Sequence, residues 1–468
     1  MSRYPQVRGR ARAIEGAVVR RGDPGYEKLR ASMVWNELTP SRSPDVIVVA
    51  ASERDVPEAV LLARASGMRI AVRAGGHSWC GSSLREGGML IDLSGLRRYV
   101  IDPAARTAHV QPGVTGGELA ARLARYGLAY ATGHCESVAM GGYLLSGGLG
   151  WNSGAWGPAC ASVRRVEAVT ADGEVVGCDA GENADLFWAA RGAGPGFFAV
   201  VTGFDLALHP LPGAVATTSY AFPLAGTEEV ARHISGVSEE LPAEVELTIQ
   251  LATADPAVFP TAPRTPVITV SAVAFADSWE EAVRLTEPLR SCPVVARALF
   301  RRESEPASFA TLSGGASSAW PAKHRFAADT LWSDDHLGAL LTPLADAIAA
   351  APSGKSSVLA PFRPASRDER LLGDMAFSVL GRSYVVPYAV WDDPGRDGAN
   401  ARWLREAMRR VEPLGTGHYI AEADLTAAPT RAERSYTPAD WRRLREVRAR
   451  YDPDGAFHSY LSPGPAPP

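Results

Sequence analysis

Residues 73–81 read RAGGHSWCG, Arg73 to Gly81: one histidine and one cysteine among three glycines. Glycine at that density lets backbone lie close to something, because no Cβ stands in the way. Upstream, MRIAV (68–72) reads as a buried strand. Before it, ERDVPEAVLLARAS (53–66) reads as a helix, with Pro57 in its first turn and Gly67 where a C-terminal cap belongs. VIVVA (46–50) is a further short β-branched run. Strand, helix, strand and glycine loop therefore follow one another.

The arrangement returns further along. GGELAARLARY (116–126) reads as a helix, Gly127 as its stop and LAYA (128–131) as a strand, followed by TGHCESVAMGGYLLSGGLG (132–150), glycine-rich again and with Cys135 in it. Such an echo does not establish a duplication, but it suggests that both loops face a shared ligand. VRRVEAVTADGEVV (163–176) carries a hairpin signal at Asp172-Gly173. HPLPGA (209–214) marks a domain boundary, and the text then changes to strands such as TPVITVSAVAFA (265–276) and amphipathic helices such as SWEEAVRLTEPLRS (278–291). Residues 1–40 read as a helical lead-in ending near Pro40. The tail has a helix around Pro438–Arg450 and a proline-rich end expected to fray.

A chain of 468 residues has room for two domains with their own cores. Its net charge of −4 gives no general reason to bind nucleic acid or an anionic membrane. The one dense basic run, RRLREVRAR (442–450), has Leu444 and Val447 at helical spacing and reads as a solvated helix face. The N-terminus lacks the apolar core of a secretory signal, and no stretch approaches the roughly 18 apolar residues of a membrane span. A cytoplasmic protein is the expectation. The five cysteines are widely spaced without CxxC, which argues against a disulfide framework or a metal site.

Glycine loops make concave sites of backbone N–H groups that suit phosphates. Neither loop here matches Walker A or the G-x-G-x-x-G dinucleotide fingerprint, and tight turns alone would also explain them. His77 reads equally as a functional imidazole, as a partner for a backbone carbonyl, or as an exposed side chain. A lone cysteine is usually inert, yet Gly133, His134 and Glu136 around Cys135 are not the surroundings of a core thiol.

The sequence resembles the berberine-bridge-enzyme-like group of the p-cresol methylhydroxylase and vanillyl-alcohol oxidase superfamily, which includes bacterial sugar oxidases, hydroxynicotine oxidases and natural-product tailoring oxidases. The matching text runs from RRGDPGYEKL through RIAVRAGGHS, IDLSGL, VQPGVTGGEL, GHCESVAMGGYLLSGGLG, VTADGEVV and NADLFWAARGAGPGFFAVVTGFDLALHP, and resumes at YDPDGAF. It covers about the first 210 residues and the last fifty; the middle third matches loosely.

That resemblance implies an α+β, two-domain fold. An FAD-binding domain would comprise residues 1–212 and a returning segment 416–468, and a substrate-binding domain of antiparallel sheet covered by helices would comprise 213–415. It implies an oxidase that takes hydride from a small organic substrate and passes electrons to O2. In bicovalent members the loop histidine joins the flavin 8α-methyl carbon and the loop cysteine joins C6. His77 and Cys135 occupy those positions, and Cys80 is the competing thiol on the other loop. Other cofactor positions implied are Arg73, Ala74, Gly75, Gly76, Ser78, Gly81, Gly133, Val138, Gly141, Gly142, Gly147, Gly148, Gly150 and Val200. Val138 falls where a small residue lets oxygen reach the flavin.

Departures are equally plain. Phe197 and Ala199 stand where the family usually has Asn and Gly, Ala161 and Ser162 where Asp and Asn are usual, and Ala421 and Ala439 replace asparagines. Glu422 holds a position where members place Tyr or Glu near the flavin. Removing a proton from a substrate O–H or N–H calls for a base, and Glu422 is the first candidate, then Tyr419, with Tyr436, Tyr384 and Tyr388 behind. A solvated loop residue is the plainer reading of Glu422, and strand aromatics the plainer reading of Tyr384 and Tyr388. An alcohol carbon of a natural-product or sugar-like molecule is the leading substrate. Amine or phenol oxidation is the alternative, and a flavin-carrying protein without turnover the outlier.

Overall fold

The computed structural model describes residues 13–254, 266–362, 365–366, 368–428 and 430–461. The proline-rich end, 462–468, lies outside them. The glycine loop of residues 73–81 leaves a four-stranded sheet ordered Ala17–Arg20, Val46–Val49, Met89–Asp92, Ile70–Arg73. The first pair is antiparallel and the others parallel. The helical lead-in expected over residues 1–40 is corrected here. Residues 1–12 of that stretch lie outside the described residues; within 13–40, Ala17–Arg20 is an edge strand paired with Val46–Val49, and Tyr26–Ser32 is the helix. Val18 and Val19 favour the extended pairing, and buried Asp55 fixes the approach by accepting from the backbone N–H groups of Glu15, Gly16 and Ala51. The helix Asp55–Ala65 buries Val56, Ala59, Val60 and Ala63, one apolar stripe at helical spacing.

A second sheet of five antiparallel strands runs Tyr99–Asp102, Thr107–Val110, Val200–Ala207, Val163–Val169, Val175–Cys178, with the expected hairpin at its end. The second glycine-loop unit does not copy the first. Among the described residues Leu128–Ala129 pairs only with His209–Pro210, and residues 140–145 of its glycine loop form a short helix.

Residues 214–391 supply an eight-stranded sheet, antiparallel at every pairing. Its order is Phe300–Ala307, Ala214–Pro223, Pro266–Ala276, Val245–Thr253, Ser357–Phe362, Ser383–Trp391, Arg325–Ala328, with Leu331–Ser333 also pairing Ser383–Trp391. Alternation along each strand divides its side chains between two faces. Leu247, Ile249, Val270 and Ala272 pack under the helices Thr227–Glu240, Leu337–Ala349 and Asp397–Val411, while Thr248 and Ser271 face the other way. Ser383–Trp391 is buried on both faces: Val385, Ala389 and Trp391 join that helix-covered core, and Tyr384, Val386 and Tyr388 join a separate aromatic cluster with Trp332 and Tyr419. The segment 278–291 forms two helices, Trp279–Leu285 and Glu287–Arg290, because Pro288 interrupts the run.

The tail comes back to the first sheet. The Ile70 N–H donates to the Ala456 carbonyl (2.7 Å) and the His458 N–H to the Ile70 carbonyl (2.8 Å), beside an Ile70–Phe457 bridge. The helix Pro438–Tyr451 buries Leu444 and Val447 in the core shared with residues 46–208. No helix among the described residues is long and apolar enough to cross a membrane.

Candidate active site

A cavity of about 880 Å³ runs from the glycine loops to the polar face of the eight-stranded sheet. Arg73, Ala74, Gly75, Gly76, His77, Ser78, Gly133, Cys135, Val138, Gly141 and Gly142 line it, as do Tyr419, Glu422, Tyr384 and Tyr388. Gly81, Gly147, Gly148, Gly150 and Val200 are not part of the lining. Tyr436 is not part of the lining: this side chain is buried in the core, and its hydroxyl donates to the carbonyls of Gly192 (3.1 Å) and Ala193 (3.0 Å).

The two loops are held face to face. His77 Nε2 lies 2.9 Å from the Ser137 hydroxyl, two residues past Cys135, and its ring stacks on Trp35 at 4.8 Å between centroids. Several glycines serve this loop packing: a Cβ on Gly75 would sit 2.7 Å from the Ala139 Cβ. A Cβ on Gly142 would meet nothing within 4 Å, so there the backbone itself borders the cavity. Arg73, placed by sequence among the cofactor residues, spends its guanidinium on the loop. It pairs with Asp92 (2.8 Å) and donates to the Met33 (3.0 Å) and Gly75 (3.2 Å) carbonyls.

Burial, reinforced by Arg73, pushes the His77 imidazole down to about 4, so it is neutral at pH 7 with a ring-nitrogen lone pair available. Burial and then Glu422 push the Cys135 thiol up to about 12. Its sulfur therefore bonds only once a proton has left.

Glu422 is where the two halves of the cavity meet. Its Oε1 accepts from Trp79 Nε1 (3.2 Å), on the first glycine loop, and from the Tyr388 hydroxyl (3.2 Å), on the sheet. Its Oε2 accepts from the Tyr384 hydroxyl at 2.5 Å. The turn carrying it is pinned from below: Thr330 Oγ1 accepts from the Tyr419 N–H (3.1 Å) and Asp329 Oδ1 from the Asp424 N–H (3.0 Å). Tyr419 is a brace, its oxygen accepting from the Gly148 (3.1 Å) and Leu149 (3.3 Å) N–H groups. Burial first, then Glu422, raises the phenols of Tyr384, Tyr388 and Tyr419, so none of them is a base at neutral pH.

An FAD binding domain model matches residues 44–179. FAD-linked oxidoreductase janO of Penicillium janthinellum is 30% identical over 445 residues, covering 93% of this chain and 95% of its own. Its counterpart ptmO of Penicillium ochrochloron is 31% identical over 436 residues, covering 92% and 93%. The chain belongs to the FAD-linked oxidoreductases. The solved 6-hydroxy-D-nicotine oxidase of Arthrobacter nicotinovorans superposes with a TM-score of 0.80 at 24% identity, covering 97% of this chain and 99% of its own. Berberine bridge enzyme from Eschscholzia californica gives 0.80 at 20%, covering 97% of each.

The residues of this oxidoreductase fit FAD. The cavity is long, the backbone at Gly142 is open to it, and a neutral imidazole and a thiol stand on the two loops that border it. Local sequence missed several groups in and behind the cavity wall. His134, next to Cys135, lies 2.7 Å from Glu246 of the opposite sheet and packs edge-on against Trp151. Burial lowers the His134 pKa, but Glu246 outweighs it and the net shift is upward. Asn36 ties the first loop to the sheet, donating to the Trp79 (3.0 Å) and Phe326 (2.8 Å) carbonyls and accepting from the Phe326 N–H (2.9 Å). The alternation of Val-Glu-Leu-Thr-Ile-Gln over 245–250 was a readable sign that Glu246 lies on a polar face.

The support beneath Glu422 carries a pH signature. Arg431 joins Asp329 (2.8 Å) and Glu412 (2.8 Å), and its Nη1 donates to His418 Nε2 (2.7 Å). Burial alone would raise Glu412, yet its contacts with His418 (3.6 Å) and Arg431 bring it down from 4.5 to about 2. The unfolded chain then takes up this proton first, so stability is present above pH 4.5 and lost as pH falls toward 2. Asp329 runs the other way. Burial pushes it up to about 6 despite Arg431, so its share falls between pH 3.8 and 6. Thermal melts from pH 6 down to 3 should show a steeper acid-side fall in the natural protein than in Glu412→Gln.

Proposed function

We propose that this oxidoreductase takes hydride from an alcohol carbon of a polyhydroxylated or glycosylated small molecule, with O2 as terminal acceptor and H2O2 as product. Bound FAD supplies the hydride acceptor and the route to O2. His77 and Cys135 would hold it through two covalent links, with residues 1–212 and 416–468 forming its domain and 213–415 the substrate's. Val138, small and on the cavity wall, leaves room for O2.

The observation that carries the reading is the hydrogen bonding of Glu422. A carboxylate offers about four lone-pair sites; three donors take two on Oε1 and one on Oε2. The remaining site on Oε2 is the acceptor for the substrate's hydroxyl proton. Trp79, Tyr384 and Tyr388 fix its direction, and the cavity they enclose limits water.

The sheet supports the substrate class. Ser219, Ser271 and Thr248 stand side by side across three strands, with Thr269 opposite Gln250 in the next row and Thr217, Val273 and Glu246 in another. These residues line the cavity. A wall of hydroxyl, amide and carboxylate groups facing Trp151, Trp320 and Tyr388 suits a molecule with many hydroxyls and apolar ring faces. An amine is the second reading, favoured by three carboxylates, Glu246, Glu305 and Glu422, in one cavity. It also agrees with the name of a relative matched over 43% of the chain at 36% identity, (R)-6-hydroxynicotine oxidase of Paenarthrobacter nicotinovorans.

Anaerobic mixing with panels of sugars, glycosides, other alcohols and amines tests the reading. A sugar, glycoside or polyol should bleach the flavin, and admitted O2 should restore its colour with one H2O2 per product carbonyl. Bleaching by amines alone moves the function to the second reading, and bleaching by none makes the protein a flavin binder.

A further inference from the structure

We propose that Arg85, assisted by His458, is the cationic seat for the diphosphate of FAD. The inference rests on FAD binding and extends it to side chains outside the glycine loop.

Four arginine or lysine side chains line the cavity: Arg73, Arg85, Arg302 and Lys355. Three are already neutralised, Arg73 by Asp92 (2.8 Å), Arg302 by Glu305 (2.9 Å) and Lys355 by Asp392 (2.7 Å). Arg85 is 7% exposed, and its Nε donates to the Ser82 carbonyl at 2.7 Å. No carboxylate among the described residues pairs with it. The charged groups that act on it are the arginines Arg42, Arg69 and Arg448 beside the Cys80 thiol, and burial with Arg42 brings it down to about 10. Arg42 itself is committed to the carbonyls of Leu84 (2.6 Å), Cys80 (2.7 Å) and Gly81 (2.9 Å).

A guanidinium taken out of water without an anion is costly, and buried arginines are ordinarily paired. His458 adds a second unspent group. Its Nε2 is buried without a hydrogen-bond partner, and the tail holds it against Ile70, at the start of the strand that ends in the glycine loop. Burial drops it to about 4, so it is a neutral imidazole able to make one hydrogen bond at Nε2. Two unspent donors on one wall call for an anion, and the diphosphate is the permanently charged part of FAD. Arginine forks match phosphate oxygens bidentately.

The test uses full-length His77→Ala/Cys135→Ala protein, in which FAD exchanges, with Arg85→Met, Arg85→Lys or His458→Ala added. FAD, ADP and adenosine are titrated at low and high salt. Arg85→Met should weaken FAD and ADP by about 10- to 100-fold while leaving adenosine within twofold. It should also flatten the salt dependence. Arg85→Lys should recover part of the loss and His458→Ala should cost less. Arg85→Met should melt no lower than its parent without ligand, since an unpaired buried charge has been removed. ADP binding unchanged in Arg85→Met, adenosine weakened as much as ADP, or a lower ligand-free melting point in Arg85→Met would each overturn the assignment. A parent that binds no FAD would instead count against FAD binding itself.

Discussion

Glu422→Gln is expected to keep its flavin and to be reduced by substrate about 10²- to 10⁴-fold more slowly, the range for loss of a general base. Glutamine keeps the shape and one acceptor oxygen, so the turn from Tyr419 to Asp424 stays pinned to Thr330 and Asp329. What it loses is the acceptor facing the cavity. Tyr384→Phe is the companion variant. Its hydroxyl donates to Glu422 Oε2 at 2.5 Å, so its loss should slow reduction by about 10- to 100-fold, less than Glu422→Gln. Rapid-mixing reduction under anaerobic conditions measures both. Reduction of Glu422→Gln within threefold of the natural protein would remove the carboxylate from the chemistry.

The second large effect concerns the tethers. His77→Ala should keep flavin through Cys135, Cys135→Ala should keep it through His77, and the double variant should release all of it on acid precipitation. The two proposed links would differ in what they demand. His77 is neutral above about pH 4 and needs no base to present its lone pair. The Cys135 thiol, held up near 12, must give up a proton. In His77→Ala the rate of attachment should therefore rise with pH, whereas in Cys135→Ala it should be flat from pH 6 to 9. Cys80→Ala should change neither, because its sulfur sits on the same loop as His77 and lies 3.5 Å from the Ser78 hydroxyl.

Both glycine loops were legible because their signal is local: short apolar strands run into glycine with a His and a Cys inside. The family motifs carried the rest of the first 210 residues. Ala17–Arg20 was not legible, since four residues are too few to show a period and their pairing with Val46–Val49 is set by Asp55, far along the chain. Tyr436 and Tyr384 could not be ranked from sequence. Their roles depend on which carbonyls or carboxylates the fold brings near, and it brings backbone carbonyls to one and Glu422 to the other. Glu246 was hidden for a related reason: alternation marks its face as polar, while its meeting with His134 depends on how the sheet packs on the second loop.

Acid precipitation of the purified natural protein, followed by digestion and peptide mass measurement, tests the central claim most directly. One flavin should join the peptide containing His77 to the peptide containing Cys135, with none in the supernatant. Free FAD in the supernatant, with both peptides at their unmodified masses, would contradict the account.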